Sequence, residues 1–409
     1  MVRSPVLILV VLAGLNFLNY LVRMLPSSVL QPMQAELQLS NLASGALATA
    51  FLLGYMIGSP LVGAQASKSG RKWIIAAGVV VWSAATVASG LAMGLTTMLA
   101  ARMVVGLGNA AYSAITPTLV DDLSTPERKG RNLALFYMAV PVGSAFGYLL
   151  GGFVEVRWGW RAAFFVGGAP GLALALLCLV IAEPARRHVV QHINVRQAVR
   201  ALAKIPLYRR ALLGYCAHTG ALGAVGHWAP KFLVDRYALP LDAANFWFGL
   251  VTVVAGFVAI LGGGRLADRA VAQMPGAADS HLSADNGAVV AALLRICGVG
   301  MWLAVPVVVG SFLVPNATLF FALSFLGQLF LFVAIAPVSS AMMRSVPTEL
   351  RAASIAIGLF AIHAFGDLWT PALVGALADL APMATALMLV PALLVVGAWI
   401  WWPLRRPQG

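Results

Sequence analysis

The chain has 409 residues, of which 61% are hydrophobic and 10% charged, and it carries a formal charge of +13. A water-facing surface takes about 25% charged residues, so composition excludes a soluble globular fold. The charge invites a nucleic-acid partner, but its placement along the chain argues for insertion into lipid instead.

A membrane-crossing helix needs roughly 20 apolar residues. Runs of that length predict about twelve helices, near 6–26, 42–64, 73–94, 97–120, 132–154, 162–182, 211–233, 244–267, 288–310, 317–341, 352–377 and 383–402. The first run holds Asn16, Asn19 and Arg23 and lacks a small-residue cleavage site, so it reads as a retained helix and not a signal peptide. The second ends in a basic turn, Gly63 to Lys72, that includes Ser67, Lys68 and Arg71. The fourth carries Arg102 and, seven residues on, Asn109, two turns away on the same face. In the fifth, Gly143, Gly147 and Gly151 recur every fourth residue, a smooth stripe suited to packing against another helix.

Then comes a bridge at 184–210 with Arg186, Arg187, Arg196, Arg200, Lys204, Arg209 and Arg210 and no acid from Arg186 onward. It divides the chain into halves at 1–183 and 211–409, each with about six helices, and part of it can form an amphipathic surface helix. His188 and His192 in the bridge lack a neighbouring Glu, so a zinc site is not expected. The seventh run contains His218 and His227, which as lone helical histidines read first as packed polar residues. The eighth ends in a second basic turn, Gly264 to Asp268 and Arg269. In the eleventh, His363 and Asp367 stand four apart on one face, and Asp367 is the one carboxylate placed well inside a helix. Cys178, Cys216 and Cys297 fall in predicted helices and read as buried thiols with no disulfide framework.

Of 27 Lys and Arg, 21 fall on one side of this topology, counting both termini and the bridge. Arg157, Arg161, Lys231 and Arg236 lie opposite. That is the positive-inside bias, and it places both termini and the bridge in the cytoplasm of a multi-pass protein of a cell membrane, of the bacterial inner-membrane kind. The expected fold is all-α, with about twelve spanning helices in two six-helix halves. Such halves around a central cavity are the architecture of many secondary transporters.

The two basic turns resemble the loop motif of the major facilitator superfamily, in which a glycine is followed four residues later by Asp-Arg. Gly264 with Asp268 and Arg269 matches it, whereas after Gly63 the pair is replaced by Ser67 and Lys68, which weakens a charged latch there. Longer strings narrow the resemblance: Asn19-Tyr20-Leu21-Val22-Arg23, the segments 108–118 and 136–148, then 220–232, 248–256 and His363 to Pro371. These resemble spinster-type transporters over most of the chain. The resemblance implies a cargo related to lysophospholipids or sphingosine phosphate, amphiphiles with an anionic or zwitterionic head. This chain departs from the family at Val22 and Asn109, where the family has acids. Both departures remove carboxylates that can carry a proton.

Ionisable groups inside a membrane are costly and so are candidates for function. Arg23 and Arg102, with Asn109, are the expected binding residues for a phosphate or carboxylate head, because arginine offers a planar fork of donors to such groups. Against this stands an arginine that snorkels or bonds helix-end carbonyls. His363 and Asp367 are the expected proton-coupling pair, with a purely structural pair as the alternative. No Ser–His–Asp elbow, phosphate loop or paired catalytic carboxylates occur, so no enzyme, cofactor or metal is expected. The expected partners are membrane lipids, a small and lipid-like substrate, and protons. A multidrug or small organic-anion carrier and a membrane-embedded lipid-modifying enzyme are the rival readings. Substrate identity, direction and coupling ion are not legible in the sequence.

Overall fold

A computed structural model describes residues 4–66, 70–125, 128–180, 195–273 and 286–402, and every regular element among them is helical. Ser67, Lys68, Arg186, Arg187, His188 and His192 lie outside the described residues. Eleven described stretches are long and apolar enough to cross a membrane, and they coincide with all the predicted runs except the seventh. That one is longer than a span, a helix at Pro206–Tyr237 of 32 residues, about 48 Å at the usual rise. It carries Arg209, Arg210, His218, His227, Lys231, Asp235 and Arg236, and these polar groups dilute its apolar character.

Local chemistry sets the element ends. α1 (Pro5–Ser28) opens on a proline whose missing N–H and fixed φ suit a first helical turn. α2 (Leu30–Leu37) stops at Gln38, which turns left-handed at φ 49. α3 (Asn41–Ala66), α4 (Arg71–Gly90), α5 (Leu95–Leu123) and α6 (Lys129–Trp158) follow. Gly159 at φ 79, a conformation that favours glycine, lets the chain turn at once into α7 (Trp160–Val180). The short α8 (Val195–Ala203) falls in the bridge and buries only Ala198 and Leu202, which makes it amphipathic. Then come α9 (Pro206–Tyr237), α10 (Leu241–Ala272), α11 (Asn286–Leu313), α12 (Ala317–Phe332), α13 (Ile335–Arg344) and α14 (Arg351–Ile362). The side chain of Asn316 caps α12 by accepting the Leu319 N–H at 2.8 Å. α15 (Thr370–Ala378), α16 (Met383–Ala386) and α17 (Leu389–Trp401) complete the chain.

Contacts gather the helices into two units. The first comprises Met1–Gln191 with His227–Leu250, and the second His192–Gly226 with Val251–Gly409. In the first unit α3 and α4 pack on α5, α1 on α6, and α4 on α7. The apolar span of α5 is 65% buried and that of α6 is 29%, so α5 is the inner helix. Glycines permit these approaches. A Cβ on Gly54 or Gly106 would run into the backbone of the facing helix at Met103 or Phe51. Gly143, Gly147 and Gly151 lie against Phe17, Leu21 and Ser28 of α1, so the stripe on α6 does pack a neighbouring helix. At one end of this unit Glu36 accepts hydrogen bonds from Trp160 Nε1 at 2.6 Å and Arg161 Nη2 at 2.8 Å. Trp160 and Arg161 hold its carboxyl below the usual carboxylate range.

In the second unit α11 packs on α12, α13 and α17. Between α14 and α15 the helix widens into one π turn at His363–Asp367, closed by Leu368 N–H donating to the His363 carbonyl at 3.0 Å. Gly220 and Gly223 of α9 lie against this turn, and a Cβ at Gly223 would come within 2.5 Å of Asp367 Cβ. The three cysteines are buried and free.

Candidate functional site

The expected binding arginines meet inside the first unit. Arg102 on α5 is 2% exposed, and its guanidinium carbon lies 5.1 Å from the centre of the Phe51 ring on α3. The Arg23 guanidinium on α1 lies 5.3 Å from the same ring and 5.9 Å from Tyr20. One aromatic ring thus lies close to two cations, and the charge of Arg23 acts on Arg102. The glycine contacts between α3 and α5 create this arrangement, because they let Phe51 sit beside α5 at the level of Arg102. Arg102 Nε and Nη1 are buried and find no hydrogen-bond partner among the described residues.

Asn109 is buried two turns further along α5, where its Nδ2 donates to Asn19 Oδ1 at 2.7 Å and its Oδ1 accepts from Ser113 at 3.0 Å. Its amide therefore ties α5 to α1. Asn19 Nδ2 is buried without a partner among the described residues. On α1 Asn16 donates to the Phe136 carbonyl at 3.0 Å. Asn16, Asn19, Arg23, Asn109 and Arg102 form a polar seam on α1 and α5 of this unit.

His227 adds to this seam, although in the sequence it reads as an ordinary packed residue. It is 5% exposed, with Nδ1 3.2 Å from Ser27 Oγ on α1 and Nε2 3.1 Å from the Ser44 carbonyl on α3. His218 is also buried, with Nε2 3.0 Å from the Leu331 carbonyl and its ring between Tyr215 and Trp401.

In the second unit His363 Nδ1 and Asp367 Oδ1 are 2.9 Å apart, their side chains 12% and 8% exposed. The expected pair is in contact, and it occupies the π turn itself. Such turns occur often at functional sites because they free a backbone group and re-aim a side chain. Here the turn and the glycines of α9 give Asp367 its place beside Gly223.

The two loop motifs differ. Gly63 lies near the end of α3, and Arg71, the first residue of α4, forms a buried ion pair with Asp122 on α5, Nη1 to Oδ2 at 2.6 Å. Asp122 was missed by the sequence reading; the signal was an acid at a helix end facing a basic turn. Gly264 falls within α10, where a Cβ would meet open space. Asp268 and Arg269 on its last turns are exposed. Phe51 had no sequence signal, since an aromatic in an apolar helix is unremarkable.

Three comparisons place the chain among known proteins. A family profile described as Major Facilitator Superfamily matches residues 12–362. The chain is 30% identical over 392 residues to protein spinster of Drosophila melanogaster, covering 92% of this chain and 62% of the fly protein. Protein spinster homolog 1 of Bos taurus is 30% identical over 397 residues, covering 91% and 73%. The Sphingosine-1-phosphate transporter SPNS2 of Danio rerio is 28% identical over 430 residues, covering 97% and 83%. Among solved structures, a bacterial homolog to the human lysosomal transporter Spinster, in an inward-facing and occupied conformation, superposes with a TM-score of 0.83. It covers 98% of this chain and 97% of its own at 19% identity, a likeness of fold.

Proposed function

For a chain that belongs to the major facilitator superfamily and, within it, to the spinster family, we propose secondary transport, by alternating access, of an amphiphile with an anionic or zwitterionic head. The head binds at Arg102 and Arg23, with Asn109 and Asn19 beside them. One observation carries this reading: Arg102 is buried with Nε and Nη1 unsatisfied and a second guanidinium over the same ring. Two neighbouring cations repel, and each unmet buried donor costs about 1–3 kcal/mol. A phosphate offers acceptors and charge to both arginines at once. A sphingosine-1-phosphate transporter among the relatives supports a lipid-like cargo.

His363 and Asp367 serve as the proton-coupling pair. The protein sits in a cell membrane of the bacterial inner-membrane kind with both termini cytoplasmic, as its basic loops favour. It performs no chemistry on its cargo.

The test is transport in proteoliposomes, screening labelled lysophospholipids against hydrophilic organic anions, with and without a pH gradient. Arg102→Gln should lower lysolipid transport about 10- to 100-fold, the value of a charged hydrogen bond or two, while membrane insertion stays intact. Unchanged transport removes Arg102 from the site. Preference for the hydrophilic anions would instead make the protein an organic-anion carrier.

A further inference from the structure

His227 is bonded through both ring nitrogens, and the partners dictate its tautomer. The Ser44 carbonyl can only accept, so Nε2 carries the hydrogen and donates to it. In the neutral ring Nδ1 is then an acceptor, and Ser27 Oγ–H donates to it. Neutral His227 thus ties α9 to α1 and α3 with every ring position used.

The same two helices carry Arg23 and Phe51, which lie beside Arg102 of α5. On α1, Arg23 precedes Ser27 by four residues, one turn along the same face. On α3, Ser44 precedes Phe51 by two turns. From α5 the charge of Arg102 acts on the His227 ring. On its own helix, Lys231 lies one turn further and is paired with Asp235 at 2.6 Å. The other acids described in the first unit include Asp242 of α10 and Glu155 of α6, which interact with each other, and Glu36, Asp121 and Asp122. His227 is the imidazole of this seam, and uptake of a proton at Nδ1 would make it a cation beside Ser27.

We infer that His227 takes up a proton together with the anionic head, so that proton binding at His227 and anion binding at Arg102 favour each other. With the site empty, a proton on Nδ1 would set a further cation beside Arg102 and deprive the Ser27 hydroxyl of its acceptor. An anion on Arg102 Nε and Nη1 offsets that cation. The proton comes from water and adds to the Nδ1 lone pair, and no other bond changes apart from the reversal of the Ser27 hydroxyl. Linkage then requires the converse, tighter anion binding when His227 is protonated. This inference rests on the binding role proposed for Arg102.

The experiment measures binding of labelled lysophosphatidylglycerol, a phosphodiester of constant charge across the range, to protein in phosphatidylcholine nanodiscs between about pH 5.5 and pH 8. The full chain should bind roughly tenfold more tightly at the acid end, within the usual span of coupled sites. His227→Gln should still bind, at an affinity independent of pH. Ser27→Ala, a milder change, should move the midpoint to higher pH, because the neutral ring loses its donor. An acid-dependent gain that survives in His227→Gln, or a midpoint unmoved in Ser27→Ala, overturns the inference. Arg102→Gln separates the two ideas. If it binds like the wild type, the anion site itself is wrong, whereas loss of binding there with an unaltered pH response in His227→Gln condemns only the coupling.

Discussion

Arg102 and Asp367 mark the residue scale, because each is a buried ionisable side chain within a membrane-spanning stretch. Their placement is expensive, and a cost of this kind persists when the group has a partner or a task. Asp367 has His363 at 2.9 Å. In transport assays Asp367→Asn should sharply reduce accumulation driven by a pH gradient while leaving downhill exchange of cargo largely intact. If the gradient still drives accumulation equally well, the pair is structural and carries no proton. Both residues were legible in the sequence, since a charge within an apolar run stands out. Phe51, Asp122 and the partners of His227 were not. Asp122 meets Arg71 from 51 positions away and His227 meets Ser27 from 200, and no local pattern encodes such distances.

Elements meet through glycine. Gly54 and Gly106 bring α3 and α5 so close that the Phe51 carbonyl occupies the space of a side chain. Gly106→Leu should therefore force the two helices apart and destabilise the first unit by about 1–3 kcal/mol, the usual cost of overpacking. It should also separate Phe51 from Arg102, so that thermal unfolding in detergent and lysolipid binding both suffer. A variant with unchanged melting and binding would show that this contact does not hold the site. The stripe on α6 was readable as a packing surface, but its partner was not, because spacing reveals a face and says nothing of what covers it. The π turn at His363–Asp367 was equally hidden. Spacing of four predicts one face in a regular helix, and only the folded chain reveals the extra residue in the turn. Pro371 helps explain it, since it cannot donate to the Asp367 carbonyl one turn back.

At the scale of the whole molecule, charge placement governs how the chain enters the bilayer. The bridge with its seven basic residues should stay on the cytoplasmic face. The native cysteines are buried, so a single introduced thiol reports cleanly. His188→Cys should react with a membrane-impermeant maleimide in inside-out vesicles and resist it in intact cells. Labelling in intact cells would invert the topology.

The sequence by itself determined the helical membrane fold and the run of the spans, because hydrocarbon imposes one demand on every stretch of about 20 residues, and that demand is local. It also singled out the costly charges. Tertiary structure alone decided that Arg23 and Arg102 share the Phe51 ring, that Asn109 binds Asn19, and that His227 joins α1 and α3. These are pairings between distant segments. They depend on which helix faces which, and that is settled by close packing across surfaces whose sequences look alike.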